Sequence, residues 1–143
     1  LILDMAGNVG TQSLAVTIRV LMDENLSARD KLHLTFKEMK VGSCNGALLG
    51  VMALVFLGVD IALFKGYSFG NAFLISGCVG ISLLVAIVIS SLVGTLVPLL
   101  FHKIKIDPAV ASGPLITTIN DLVAVVTYYG LAWVMLIRVL GMG

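Results

Sequence analysis

Apolar residues in this chain run together in long blocks separated by short charged stretches, instead of alternating as they would in a half-buried strand. A helix crossing a hydrocarbon layer about 30 Å thick needs ~20 mostly apolar residues, and four segments meet that length: 1–22, 41–64, 69–101 and 108–139. The first is unusually polar, with Asp4, Asn8, Thr11, Gln12 and Ser13 ahead of Arg19. The third lies in a stretch from Gly66 to Phe101 with no charged residue, and Asp121 interrupts the fourth. Asp107 followed by Pro108 is a strong helix start, because aspartate caps and proline at the first helical position gives up an N–H that has no partner there anyway. Residues 23–40 read as an interfacial connector in which Ser27 caps a helix with Asp30 three positions later, a helix that continues into the second span. The expected fold is an all-α integral membrane protein.

Composition agrees with the pattern. Of the 143 residues 59% are hydrophobic and 12% charged, with a mean hydropathy of +1.09; soluble domains carry roughly 25% charged residues. A soluble, wholly buried helical core would need polar outer faces, and only residues 23–40 have that character. Nine Lys and Arg against eight Asp and Glu give a net charge of +1, without the basic patch that nucleic acid binding requires. Cys44 and Cys78 sit in apolar runs, as small buried hydrophobes rather than a disulfide or zinc pair. Arg19, Arg29, Lys31, Lys37, Lys40, Lys103 and Lys105 flank one side of the spans, while Lys65 and Arg138 flank the other. By the positive-inside rule the connectors 23–40 and 102–107 are cytoplasmic and the C-terminus lies outside, in a cell-membrane protein. The N-terminus then also starts outside, which implies at least one further helix upstream.

Small residues at four-residue spacing, Gly42, Gly46 and Gly50 in the second span and Ala86, Ser90 and Gly94 in the third, mark seams for close helix packing, with a gating hinge as the alternative. The chemistry is concentrated in the first and fourth spans. Asp121 stands near the middle of an otherwise uncharged 30-residue window. A mid-membrane carboxylate costs about 2.5–3.5 kcal/mol on insertion scales, so it should face a cavity, a partner or an ion. Counting back by helical turns gives Thr117 and then Gly113, while Pro114 frees the carbonyl of Val110; Thr118 and Asn120 add further oxygen donors. In the first span Asp4, Asn8 and Gln12, with Gly7 nearby, form a second polar face, which lines a pore or serves as a hydrogen-bonded helix seam. Carboxylates, amides and carbonyls are hard ligands, and sparse carboxylates suit an ion that keeps its own water, such as Mg²⁺. His33, His102 and Asp60 fall at the edges of the spans, outside this lining.

The run Asp107-Pro108-Ala109-Val110-Ala111-Ser112-Gly113-Pro114, with Thr117, Thr118 and Asp121, resembles the last membrane helix of MgtE-type magnesium channels. Gly7-Asn8-Val9-Gly10-Thr11-Gln12 is similar to that family's glycine-asparagine motif, and Lys37-Glu38-Met39-Lys40-Val41-Gly42 to the start of its third helix. The resemblance covers essentially the whole chain in order. It implies a five-helix domain with four helices present and the first absent, a homodimer in the lipid bilayer, and an ion path lined by the first and fourth spans. It further implies that Asp121 binds hydrated Mg²⁺, that Thr117 contributes a backbone oxygen, that Gly113 makes a nearby contact, and that a cytosolic regulatory region precedes the domain. Ala6 replaces the usual first glycine of a Gly-Gly-Asn motif, and Gly113 stands where some members carry Asn.

Three functions compete: a passive Mg²⁺ channel, a proton- or ion-coupled exchanger using Asp121 as relay, and a non-conducting scaffold whose polar faces seal a dimer. An enzyme is not expected, because no nucleophile, base and orienting group cluster at readable spacing.

Overall fold

A computed structural model describes residues 1–23, 26–135 and 137, with the side chains of 111 and 112 left aside. Of the fourth expected span, Leu136 and the last two positions, Arg138 among them, lie outside the described residues. The described residues form four helices: α1 (Ile2–Leu21), α2 (Ala28–Phe64), α3 (Phe69–Lys103) and α4 (Pro108–Val134). Three of them, α2, α3 and the Gly113–Val134 stretch of α4, are long and apolar enough to cross a membrane. α1 is not among these three, and its run of polar side chains is the reason. The architecture is an all-α membrane domain.

Each helix begins where the local chemistry dictates. Ser27 opens α2 with a reciprocal capping box: its hydroxyl accepts from the Asp30 backbone N–H at 3.2 Å, and the Asp30 carboxylate accepts from the Ser27 N–H at 3.0 Å. The Ser27 hydroxyl also donates to that carboxylate at 2.6 Å. These bonds, the side-chain one foremost, hold the Asp30 carboxyl below the usual carboxylate range in the connector ahead of the span. From this cap α2 runs 37 residues without a break to Phe64. Ser68 caps α3, and Asp107 caps α4 by accepting from the Ala109 N–H at 2.9 Å, with Pro108 at the first helical position. α4 continues through Pro114 as one helix.

α3 is the central helix, packed against all three others, while α1 and α2 barely touch. Its two small-residue seams lie on different faces. Gly42, Gly46, Gly50 and Gly58 of α2 meet Ser91, Leu84, Gly80 and Phe73 of α3 in that order, so the pair is antiparallel. Ser90 and Gly94 instead meet α1: the Ser90 hydroxyl donates to the Ala6 carbonyl, and Gly94 lies against Gly10 and Ser13, so α1 and α3 run parallel. The buried hydroxyls of Thr17, Ser82, Ser91 and Thr95 donate to carbonyls of their own helices. That local bonding allows polar residues at a dry interface without orphaned groups. Between the seams the core is Ile2, Ala6, Val9, Ala53, Leu83, Ala86, Ile87 and Ala124. Leu48, Val51, Val55, Phe56 and Leu63 of α2 are exposed, as a lipid-facing surface requires.

Candidate functional site

α1 and α4 are adjacent and share a groove of about 500 Å³ lined by Leu3, Asp4, Gly7, Asn8 and Thr11 from α1 and by Thr117 and Asp121 from α4. Two carboxylates more than a hundred residues apart in sequence therefore open into one space. Both aspartates, Asn8 and both threonines are exposed, so the groove is open along its length.

The lining is acceptor-rich by construction. The Thr11 hydroxyl donates to the carbonyls of Gly7 at 3.0 Å and Asn8 at 2.9 Å, and the Thr117 hydroxyl donates to the carbonyl of Gly113 at 3.2 Å. With each proton committed to its own helix, what each threonine offers the groove is oxygen lone pairs. Gly7 and Gly113 have nothing within 4 Å of where a side chain would begin, so the backbone there is bare. Among the described residues no three carboxylate, imidazole or thiolate groups cluster closely enough to hold a metal ion. What the groove offers is two carboxyl groups and several further oxygen acceptors.

The other residues singled out in the sequence lie elsewhere. Gln12 is exposed and outside the groove lining. Gly113, Pro114 and Thr118 are also outside it, and the Thr118 hydroxyl donates to the Pro114 carbonyl at 2.9 Å. Asn120 faces away from the groove: it is fully buried where α4 meets α1 and α3, against Gly10 and close to Ser90. Neither its amide nitrogen nor its oxygen has a hydrogen-bond partner. The geometry explains this sorting. A helix turns about 100° per residue, so a four-residue step drifts by about 40° and two such steps by about 80°. Asp4 and Asn8 share a face but Gln12 has rotated off it, as Gly113 has relative to Asp121. Leu3 and Thr11, absent from the sequence-derived lining, are recovered by mixing three- and four-residue steps.

Comparison with known proteins gives a consistent picture. The family described as "Divalent cation transporter", MgtE, matches residues 1–131. The chain is 41% identical over 128 residues to the magnesium transporter MgtE of Bacillus subtilis, covering 90% of this chain and 26% of that protein. It is 36% identical over 132 residues to the one from Enterococcus faecalis, covering 92% and 27%. To the one from Thermus thermophilus it is 34% identical over 135 residues, covering 94% and 28%. The chain thus spans about a quarter of the length of these relatives.

Proposed function

Because this chain belongs to the MgtE family of divalent cation transporters, we propose that it forms part of a passive path for hydrated Mg²⁺, lined by α1 and α4. The convergence of Asp4 and Asp121 on one groove carries this reading. Mg²⁺ gives up its water reluctantly and is held in proteins through one or two carboxylates with most of its hydration intact. Six waters occupy about 180 Å³ at roughly 30 Å³ each, well inside the 500 Å³ of the groove. Asp121, at mid-helix, is the carboxylate that positions the hydrated ion. Asp4 adds charge, and Asn8, Thr11 and Thr117 accept hydrogen bonds from the ion's water. Contact through the ion's own water demands no stripping of the shell, which keeps the cost of passage low.

The groove is open on one side, and a second copy of the chain facing it across a two-fold axis would close it, doubling the carboxylates around the ion. In this reading the domain has five membrane helices, α1 being its second, and a cytosolic region precedes it. The Lys- and Arg-rich connectors are cytoplasmic and the C-terminus is outside.

The test is Mg²⁺ uptake by the intact protein in vesicles, with proton and sodium gradients collapsed and a membrane potential imposed. Wild-type flux is expected to persist, and Asp121→Asn to reduce it at least tenfold. Flux that vanishes with the proton gradient favours an exchanger with Asp121 as relay. Flux unchanged in Asp121→Asn refutes the site.

A further inference from the structure

At the end of the bundle where α3 stops and α4 begins, a second cavity of about 750 Å³ is lined by Lys31, His102, Lys103, Lys105, Ile106, Asp107 and Pro108. We propose that this cavity binds the phosphate of an anionic phospholipid headgroup, with Lys31, Lys103 and Lys105 as its cationic walls.

Three observations carry the assignment. The first is convergence. Lys31 lies in the first turn of α2, some seventy residues from Lys103 and Lys105, and the antiparallel packing of α2 on α3 brings the three into one cavity. Like charges gathered this way repel, and an anion bound among them relieves that repulsion.

The second is that the nearby carboxylates serve as helix caps and are not paired with the lysines. Asp107, the acid in the lining, accepts from the Ala109 N–H as the cap of α4. Asp30, next to Lys31, is bound to both the N–H and the hydroxyl of Ser27. Among the described residues the three ammonium groups have no carboxylate partner. They are thus placed to take an anion from outside the chain.

The third is place and shape. α3 is one of the helices apolar enough to span, and it ends at Lys103, so the cavity sits where the helix leaves hydrocarbon for the headgroup layer. Ile104 and Ile106, about half exposed, flank Lys105 and give acyl chains a surface beside the charges. The turn itself is built around Lys105. Ile106 N–H reaches back to the Phe101 carbonyl at 2.9 Å, and Lys105 sits at φ 60°, the left-handed position that glycine ordinarily fills at a helix end. A cation occupies a position where a glycine would be easier. A lipid phosphate unites these features, because it supplies negative charge at headgroup depth together with the chains that cover the isoleucines.

The experiment uses the intact protein in nanodiscs of phosphatidylcholine with increasing phosphatidylglycerol, reading the thermal midpoint and the phosphatidylglycerol retained after exchange into detergent. The wild-type midpoint is expected to rise with phosphatidylglycerol and to do so less at high salt. Lys31→Gln, Lys103→Gln and Lys105→Gln should each weaken retention by roughly fivefold, and the triple variant should abolish the shift. Lys105→Gly supplies a readout of opposite sign: it relaxes the turn, so it should be at least as stable as wild type in pure phosphatidylcholine, yet respond less to phosphatidylglycerol. Lys65→Gln, at the other end of α2, should respond as wild type does. A full phosphatidylglycerol response in the triple variant or in Lys105→Gly overturns the proposal. So does a shift of the same size produced by inorganic phosphate without anionic lipid.

Discussion

The seam between α2 and α3 makes a quantitative test of the packing. A Cβ on Gly50 would stand 2.8 Å from the Gly80 carbonyl oxygen, and one on Gly80 would stand 2.7 Å from the Gly50 carbonyl oxygen. Ordinary contact begins near 3.4 Å, so either alanine forces a retreat of about half an ångström or more. Both obstructing atoms are backbone, and no rotamer change relieves the clash. The helices must separate, and a gap of 0.5–1 Å forfeits about a quarter to a half of each dispersion contact along the seam. Overpacking of this kind costs about 1–3 kcal/mol. Gly77 supplies the control, since its added Cβ would meet only Leu54 Cδ1, at an ordinary 3.6 Å. Alanine there gains helix propensity at no steric expense. Thermal or denaturant unfolding in one detergent should therefore place Gly50→Ala and Gly80→Ala each at least about 1 kcal/mol below Gly77→Ala. The double variant should cost less than the two combined, because one separation relieves both clashes. Gly50→Ala as stable as Gly77→Ala would mean that the two backbones do not touch.

Three other substitutions probe separate parts of the molecule. Asn120→Leu removes an amide that is fully buried with neither polar atom bonded, and should raise unfolding stability by about 1 kcal/mol; a loss of stability shows that the amide has a partner. Gly7→Ala adds a methyl with nothing within 4 Å, so it should leave the thermal midpoint unchanged while slowing Mg²⁺ uptake by narrowing the groove, and unaltered uptake argues that ions do not pass Gly7. Ser27→Ala deletes the reciprocal cap of α2 and should lower the midpoint at neutral pH. Because Asp30's carboxyl is held below its ordinary range in the folded state, its contribution is present above the unfolded pKa and fades as pH falls through the lowered folded value. The gap between wild type and Ser27→Ala should therefore narrow in acid, and a gap that widens contradicts the cap.

How much the sequence discloses depends on the range of the interaction. Helix starts at Ser27 and Asp107 are local affairs of a cap and its near neighbours, and they read directly from the string. The apolar lengths of the second and third blocks report burial in hydrocarbon, again with no tertiary knowledge needed. The groove is different, because it depends on which sector of α1 meets which sector of α4. Fourfold spacing suggests that Asp4, Asn8 and Gln12 act together, yet rotational drift removes Gln12 and brings in Thr11. Asn120 shows the same limit more sharply: one residue from Asp121, it points about 100° away into the junction with Gly10 and Ser90. A polar residue in a membrane helix is conspicuous in sequence, but the side it faces is settled by the neighbouring helices. The two small-residue stripes read as packing seams, but their partners are set by the fold: Gly42, Gly46 and Gly50 dock on α3, and Ser90 and Gly94 receive α1.

The length of α2 has a mechanical consequence. At 1.5 Å per residue its 37 residues extend about 55 Å, so a single rod runs the height of the bundle from the lysine cavity to Phe64. It contains no proline to act as a joint, and its glycines are clamped against α3, where they add closeness and no slack. A push on its N-terminal end is therefore passed to α3, which also packs against α1 and α4. Whatever leans on that end acquires leverage over the walls of the groove without ever approaching it.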